Sequence, residues 1–132
     1  MNKSQHRMKN TRVLFLTAGV LLLMCCNPLQ ASSKPLVTFV ELGSTWCTPC
    51  KLMQPVMHSL ENRYGEQLKV IFYNVSTPKE QSYAKQYGIR IIPTQVFLDM
   101  NGKEFFRHEG FFSEEQIDKL LKKQGLTPLT NK

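Results

Sequence analysis

Leu36 to Leu42 (LVTFVEL) is a short apolar, β-branched run broken by one acid, Glu41, and it predicts a buried strand. Gly43 to Thr45 reads as a turn. From Pro49 the period changes. Leu52, Met53, Val56, Met57 and Leu60 recur at helical spacing and predict a helix that buries this face. Pro55 lies inside that helix and is expected to kink it, and Gly65 ends it. Leu68 to Val75 predicts a second strand. Thr77, Pro78 and Glu80 then read as a helix start, with a cap, a proline in the first turn and a capping-box acid; this helix stops at Gly88. Thr94 to Asp99 and Lys103 to His108 predict two further strands, joined at the hairpin pair Asn101-Gly102. Ser113 with Gln116 is a second capping box. Glu114 and Glu115 in the first turn and Lys122 and Lys123 in the last suit the helix dipole, and Gly125 ends the final helix.

The order β-α-β-α-β-β-α predicts an α/β domain. The first crossover makes two strands parallel and the hairpin adds an antiparallel pair, so the expected core is a four-stranded mixed sheet with helices on both faces. A chain of 132 residues without internal repeats has room for one such domain.

The N-terminus follows another logic. Lys3, Arg7, Lys9 and Arg12 precede Val13 to Cys26, an apolar run softened only by Thr17 and Gly19. The run is shorter than the about 20 residues that span a bilayer. Asn27, Pro28 and Gln30 break it before Ala31. This pattern predicts a secretory signal peptide over residues 1–31, cut after Ala31, and a domain over 32–132. Two other readings compete: an uncleaved membrane anchor, and a lipoprotein acylated at Cys25, which Met24 disfavours where a small residue belongs. On each of them the domain lies outside the cytoplasm.

The leader changes what charge and cysteine content mean. The full chain carries +7; without the four leader cations 13 basic residues face 10 acidic ones. That mild balance carries no basic stripe, so no nucleic-acid partner is expected. Cys25 and Cys26 leave with the leader, and Cys47 and Cys50 remain. Their loop is too small to constrain the unfolded chain much, which argues against a structural staple.

Cys47-Thr48-Pro49-Cys50 lies at a strand-to-helix junction, where a C-x-x-C pair signals redox chemistry. The first sulfur falls at the helix N-terminus, whose free N–H groups and dipole stabilise a thiolate. The second lies one turn in, within reach of the first. Pro49 costs little in the first turn, where its missing N–H has no partner to lose. A zinc site would need two more ligands. His58 and His108 are available, but there is no second C-x-x-C and no paired histidine, so no metal is expected. No flavin or nicotinamide fingerprint is present, so no cofactor is expected and another protein must recycle the pair.

Trp46-Cys47-Thr48-Pro49-Cys50-Lys51, Pro55, Tyr87-Gly88-Ile89-Arg90-Ile91-Ile92-Pro93-Thr94 and Gly110, in this order, resemble thioredoxin over about Leu36 to Gly125. The resemblance implies a thiol–disulfide oxidoreductase with Cys47 as nucleophile and Cys50 as resolving thiol. It places substrate docking at Trp46, Thr48, Pro49, Ile92, Pro93 and Gly110. Pro93 matches the family's cis-proline, which frees the Ile92 backbone to pair with an extended client segment. The plainer alternatives are a trans turn proline at 93, a core aromatic at 46 and a strand-ending glycine at 110. Glu41 matches the family's buried aspartate, and an acid between Val40 and Leu42 is expected to have a raised pKa and to accept the Cys50 proton. Its alternative is a strand-edge acid reaching water.

Departures from the family are as informative. The lysine near the buried acid is replaced at Phe72 or Tyr73, the aromatic two residues after the acid is Gly43, and the leading β-α unit is missing. A trimmed thioredoxin-like fold is therefore expected. His58 reads as a surface residue, His108 as structural, and Phe105, Phe106, Phe111 and Phe112 as packing. The resemblance implies a monomeric periplasmic reductase that draws electrons from a membrane thiol–disulfide donor and passes them to oxidised client proteins. A disulfide oxidant or isomerase, and a non-enzymatic peptide-binding module, are the competing expectations.

Overall fold

Two strands, β1 (Val37–Gly43) and β3 (Thr94–Asp99), form the centre of a four-stranded sheet in the order β2-β1-β3-β4. The structure, a computed structural model, describes residues 34–129. The expected leader and its cleavage point after Ala31 lie outside the described residues. β2 (Leu68–Asn74) runs parallel to β1, because the 17-residue helix α1 (Thr48–Tyr64) carries the chain back across the sheet. β3 runs antiparallel to β1, and β4 (Glu104–Glu109) antiparallel to β3. The four-stranded mixed sheet expected from the sequence is the one observed.

The sheet buries both faces, and the period of two along β1 decides which residues go where. Val37 and Phe39 join Met53, Met57 and Leu60 of α1 and Ile117 and Leu121 of α3 (Glu114–Lys123). Val40 and Leu42 face the opposite side, where Tyr83 of the short helix α2 (Ser82–Gln86) and Tyr87 cover them. Phe39 and Phe97 stack at 4.7 Å between ring centres and are fully buried. Each such ring contributes about 2 kcal/mol by leaving water. Leu52, placed on the buried face by its spacing, is 54 % exposed instead. α1 continues through Pro55, which lies on the exposed side, and ends at Gly65 with φ +53°.

One element departs from expectation for a readable reason. Thr77, Pro78 and Glu80 do not start a helix. The Glu80 carboxylate accepts the Asn74 N–H at 2.8 Å, and the Thr77 hydroxyl donates to the Asn74 carbonyl at 2.9 Å. Both side chains therefore close the turn after β2, and α2 begins only at Ser82. The capping box at Ser113 and Gln116 does form. So does the hairpin, where Gly102 takes φ +79° and Asp99 accepts the N–H groups of Asn101 and Lys103 at 2.8 and 3.0 Å.

α1 and α3 are joined by a polar pin. Asp118 accepts from the Tyr64 hydroxyl at 2.6 Å, from Arg63 Nη1 at 3.1 Å and from Lys122 Nζ at 2.7 Å, while Arg63 also pairs with Glu114. Burial pushes the Asp118 carboxyl up, but the bonds from Lys122, Tyr64 and Arg63 outweigh it and hold the pKa at about 2.

Candidate active site

Three chain segments meet at one end of the sheet. β1 leaves it after Gly43, β3 enters it at Thr94, and β4 reaches it at Glu109; Leu42 pairs with Thr94, and Thr94 with Glu109. The loop to Cys47, the Ile92-Pro93 segment and Gly110 therefore emerge side by side.

Ser44 shapes the first of these segments. Its hydroxyl accepts the Trp46 N–H at 3.2 Å and its carbonyl the Cys47 N–H at 3.3 Å. This turn delivers Cys47 to the N-cap of α1 in extended backbone, and its sulfur accepts the Cys50 N–H at 3.3 Å. Thr48 and Pro49 fill the first turn, both exposed. Cys47 and Cys50 are joined as a disulfide with Cα atoms 5.2 Å apart. Their surroundings differ: Cys47 is half-buried, and Cys50 is 1 % exposed. A partly accessible cysteine at the positive end of a helix dipole is thus paired with a buried one.

Gly43, read from sequence as a turn residue, is the last residue of β1 and the floor beneath Cys50. A Cβ there would stand 3.3 Å from both Cβ and Sγ of Cys50 and 3.2 Å from Phe72 Cε2. Glu41 lies two residues earlier on the same face. It is fully buried, which removes the alternative of a strand-edge acid reaching water. Burial pushes its pKa up to about 8, against the opposing pull of a hydrogen bond from Gln95 Nε2 at 3.0 Å. Phe72, in register with Glu41, lies on the acid's face of the sheet, and Tyr73 turns to the other face to stack on Tyr83 at 3.6 Å.

Trp46 is 86 % exposed, so it is not a core aromatic. The Ile92-Pro93 bond is cis, with Pro93 buried and Ile92 half-buried. Gly110 takes φ +92°, donates its N–H to the Pro93 carbonyl at 2.8 Å, and would meet no atom within 4 Å if it carried a Cβ. It thus ends β4 and leaves space beside the proline. His58 is exposed on α1, and His108 stacks on Phe112 at 4.3 Å. Phe112 is in the core, Phe105 and Phe106 pack against it, and Phe111 is 46 % exposed. Sequence reasoning missed Gln95 and Ser44. Gln95 could have been found as a polar residue inside an apolar strand, but its partner emerges only from the pairing of β1 with β3.

The geometry is that of a dithiol–disulfide centre, and comparison with known proteins agrees. Residues 27–125 match the model of the Thioredoxin-like domain. The thioredoxin of Borreliella burgdorferi is 30 % identical over 83 residues, covering 63 % of this chain and 68 % of that protein. The chloroplastic thioredoxin Y of Oryza sativa is 33 % identical over 89 residues, covering 67 % of this chain and half, 50 %, of that protein. Among solved structures, a single-site mutant of the thioredoxin of Halobacterium salinarum superposes with a TM-score of 0.59 at 24 % identity, over 70 % of this chain and 77 % of the other, which speaks for the fold. With its Cys47–Cys50 disulfide at the start of α1, the chain is a thioredoxin-like disulfide oxidoreductase and belongs to the thioredoxin family.

Proposed function

We propose that the protein reduces disulfides of client proteins outside the cytoplasm. The observation that carries this reading is the unequal burial of the two cysteines, Cys47 half-buried and Cys50 1 % exposed. The Cys47 thiolate attacks one sulfur of a client disulfide. A Cys47–client bond forms, and the client's other sulfur leaves as a thiolate and is protonated. Cys50 gives its proton to Glu41 and attacks Cys47. The Cys47–Cys50 bond forms, the client's second sulfur departs reduced, and the two electrons received by the client have come from the pair. Trp46, Thr48, Pro49, Ile92 and Pro93 offer the docking surface for the client segment. A membrane thiol–disulfide protein on the periplasmic side returns the pair to the dithiol. The basic, apolar leader of residues 1–31 supports export, and a mature chain beginning at Ser32, found by mass spectrometry, tests it.

The deciding measurement is the equilibrium potential of Cys47/Cys50 against glutathione. A value near about −270 mV fits a reductase, whereas one near about −120 mV overturns this direction in favour of an oxidant. If both thiols prove inert to disulfide reagents, the redox reading itself falls, and binding that survives Cys47→Ser with Cys50→Ser marks a peptide-binding module.

A further inference from the structure

The buried acid has acquired a partner. Glu41 and Gln95 are cross-strand neighbours on β1 and β3, both fully buried, and Gln95 Nε2 donates to Glu41 Oε2 at 3.0 Å. Their two remaining oxygens, Glu41 Oε1 and Gln95 Oε1, are buried without a hydrogen-bond partner among the described residues. Both are acceptors while the acid is ionised, so they cannot bond one another. A proton on Glu41 Oε1 turns that atom into a donor, and the unpartnered acceptor belongs to the residue Glu41 already touches.

We propose that Gln95 is a positioning residue for the redox centre, its carboxamide holding the Glu41 carboxyl in both charge states so that Glu41 can take up the proton Cys50 releases. With the acid protonated, the carboxamide both donates and accepts. With it ionised, the N–H bond to Oε2 becomes charge-assisted and stabilises the carboxylate. Phe72, in register with Glu41, offers the carboxylate no hydrogen bond, so the amide is the polar group that makes ionisation accessible. The pKa of about 8 leaves about a tenth of Glu41 ionised at neutral pH, enough to act and responsive to its partner.

The other groups facing the pair are few. Phe72 of β2 is in register with Glu41, and Cys50 of α1 lies against Gly43. His108 of β4 is in register with Gln95 but stacks on Phe112, its Nε2 3.2 Å from the Phe111 carbonyl. Asp118 of α3, on the same side of the sheet, is bound to Tyr64, Arg63 and Lys122.

The inference rests on the reading of Glu41 as proton acceptor, and the experiment separates the two. In unmodified reduced protein, carbon-13 NMR follows the Glu41 carboxyl while nitrogen-15 NMR follows the Gln95 side-chain amide. The expected result is one shared midpoint, and an amide that ignores the Glu41 titration overturns the proposal. Gln95→Met keeps the volume and removes the amide. It is expected to move the Glu41 midpoint upward by about one unit and to slow resolution of a Cys47 mixed disulfide about tenfold at neutral pH, leaving the first attack by Cys47 unchanged. In a Glu41→Gln background the same change should add nothing further to the rate. If Glu41→Gln leaves resolution at its original rate, the acceptor reading fails and this inference with it. If Glu41→Gln slows resolution but Gln95→Met moves neither midpoint nor rate, Glu41 acts alone and only the role of Gln95 is overturned.

Discussion

Gly43 and Cys50 stand back to back: a methyl group on Gly43 would press at 3.3 Å on the buried sulfur of the redox pair. The distance is tighter than ordinary van der Waals contact, and Phe72 Cε2 at 3.2 Å closes the other side. Gly43→Ala is expected to cost about 1 kcal/mol of stability in the oxidised protein, measured by urea unfolding. In the background of Phe72→Leu, which withdraws the ring edge, the added cost should shrink. Equal costs in both backgrounds would show that the crowding does not involve Phe72.

Glu41 makes stability depend on pH in an unusual direction. Its folded pKa of about 8 lies above the ordinary 4.5, so the native state holds a proton that the unfolded chain has lost between those values. The stabilisation from this protonated form is complete below about pH 4.5 and is lost as pH rises through about 8. Replacing Glu41 with Gln should therefore raise stability at pH 9 relative to the parent, by on the order of 4 kcal/mol, with much less difference at pH 4. Parallel unfolding curves for parent and variant across that range would contradict the burial of this carboxyl.

Asp118 has the opposite sign. Its pKa of about 2 lies below the ordinary 3.8, so its contribution is present above about pH 4 and is lost as pH falls toward 2. Asp118→Ala, which leaves the buried Tyr64 hydroxyl without its acceptor, is expected to cost about 2 kcal/mol near neutral pH and much less at pH 2. Thermal unfolding at the two pH values checks both halves of the statement.

Trp46 separates docking from folding. Being 86 % exposed, it contributes little packing, so Trp46→Ala should change stability by less than about 0.5 kcal/mol. If it forms part of the client surface, the same change should raise KM for a protein disulfide several-fold and leave reaction with a small disulfide near its original rate. Equal losses on both substrates would move Trp46 from docking to the chemistry of the pair.

Strands, hairpin and the two long helices were legible because their signals are local: the apolar, β-branched run of β1, the Asn101-Gly102 turn, the capping box at Ser113. Where a local signal has two physical outlets it misled. Thr77 and Glu80 have cap-forming side chains, and the Asn74 backbone claimed both. Leu52 fits the helical period but lies near the start of α1, between the exposed Pro49 and Pro55, and stays exposed with them. In the site, Cys47 and Cys50 are neighbours in sequence and could be read directly. The bond from Gln95 to Glu41 spans 54 positions and exists only through strand register, which no short stretch of sequence encodes.

The unequal burial of the two sulfurs also sets how the described domain meets reactive chemicals. A bulky alkylating agent added to the reduced protein finds one open target, because Cys50 stays under the surface while the fold holds. Between residues 34 and 129, therefore, such a reagent counts one thiol where a reductant counts two, and tagging that single atom disables the whole cycle.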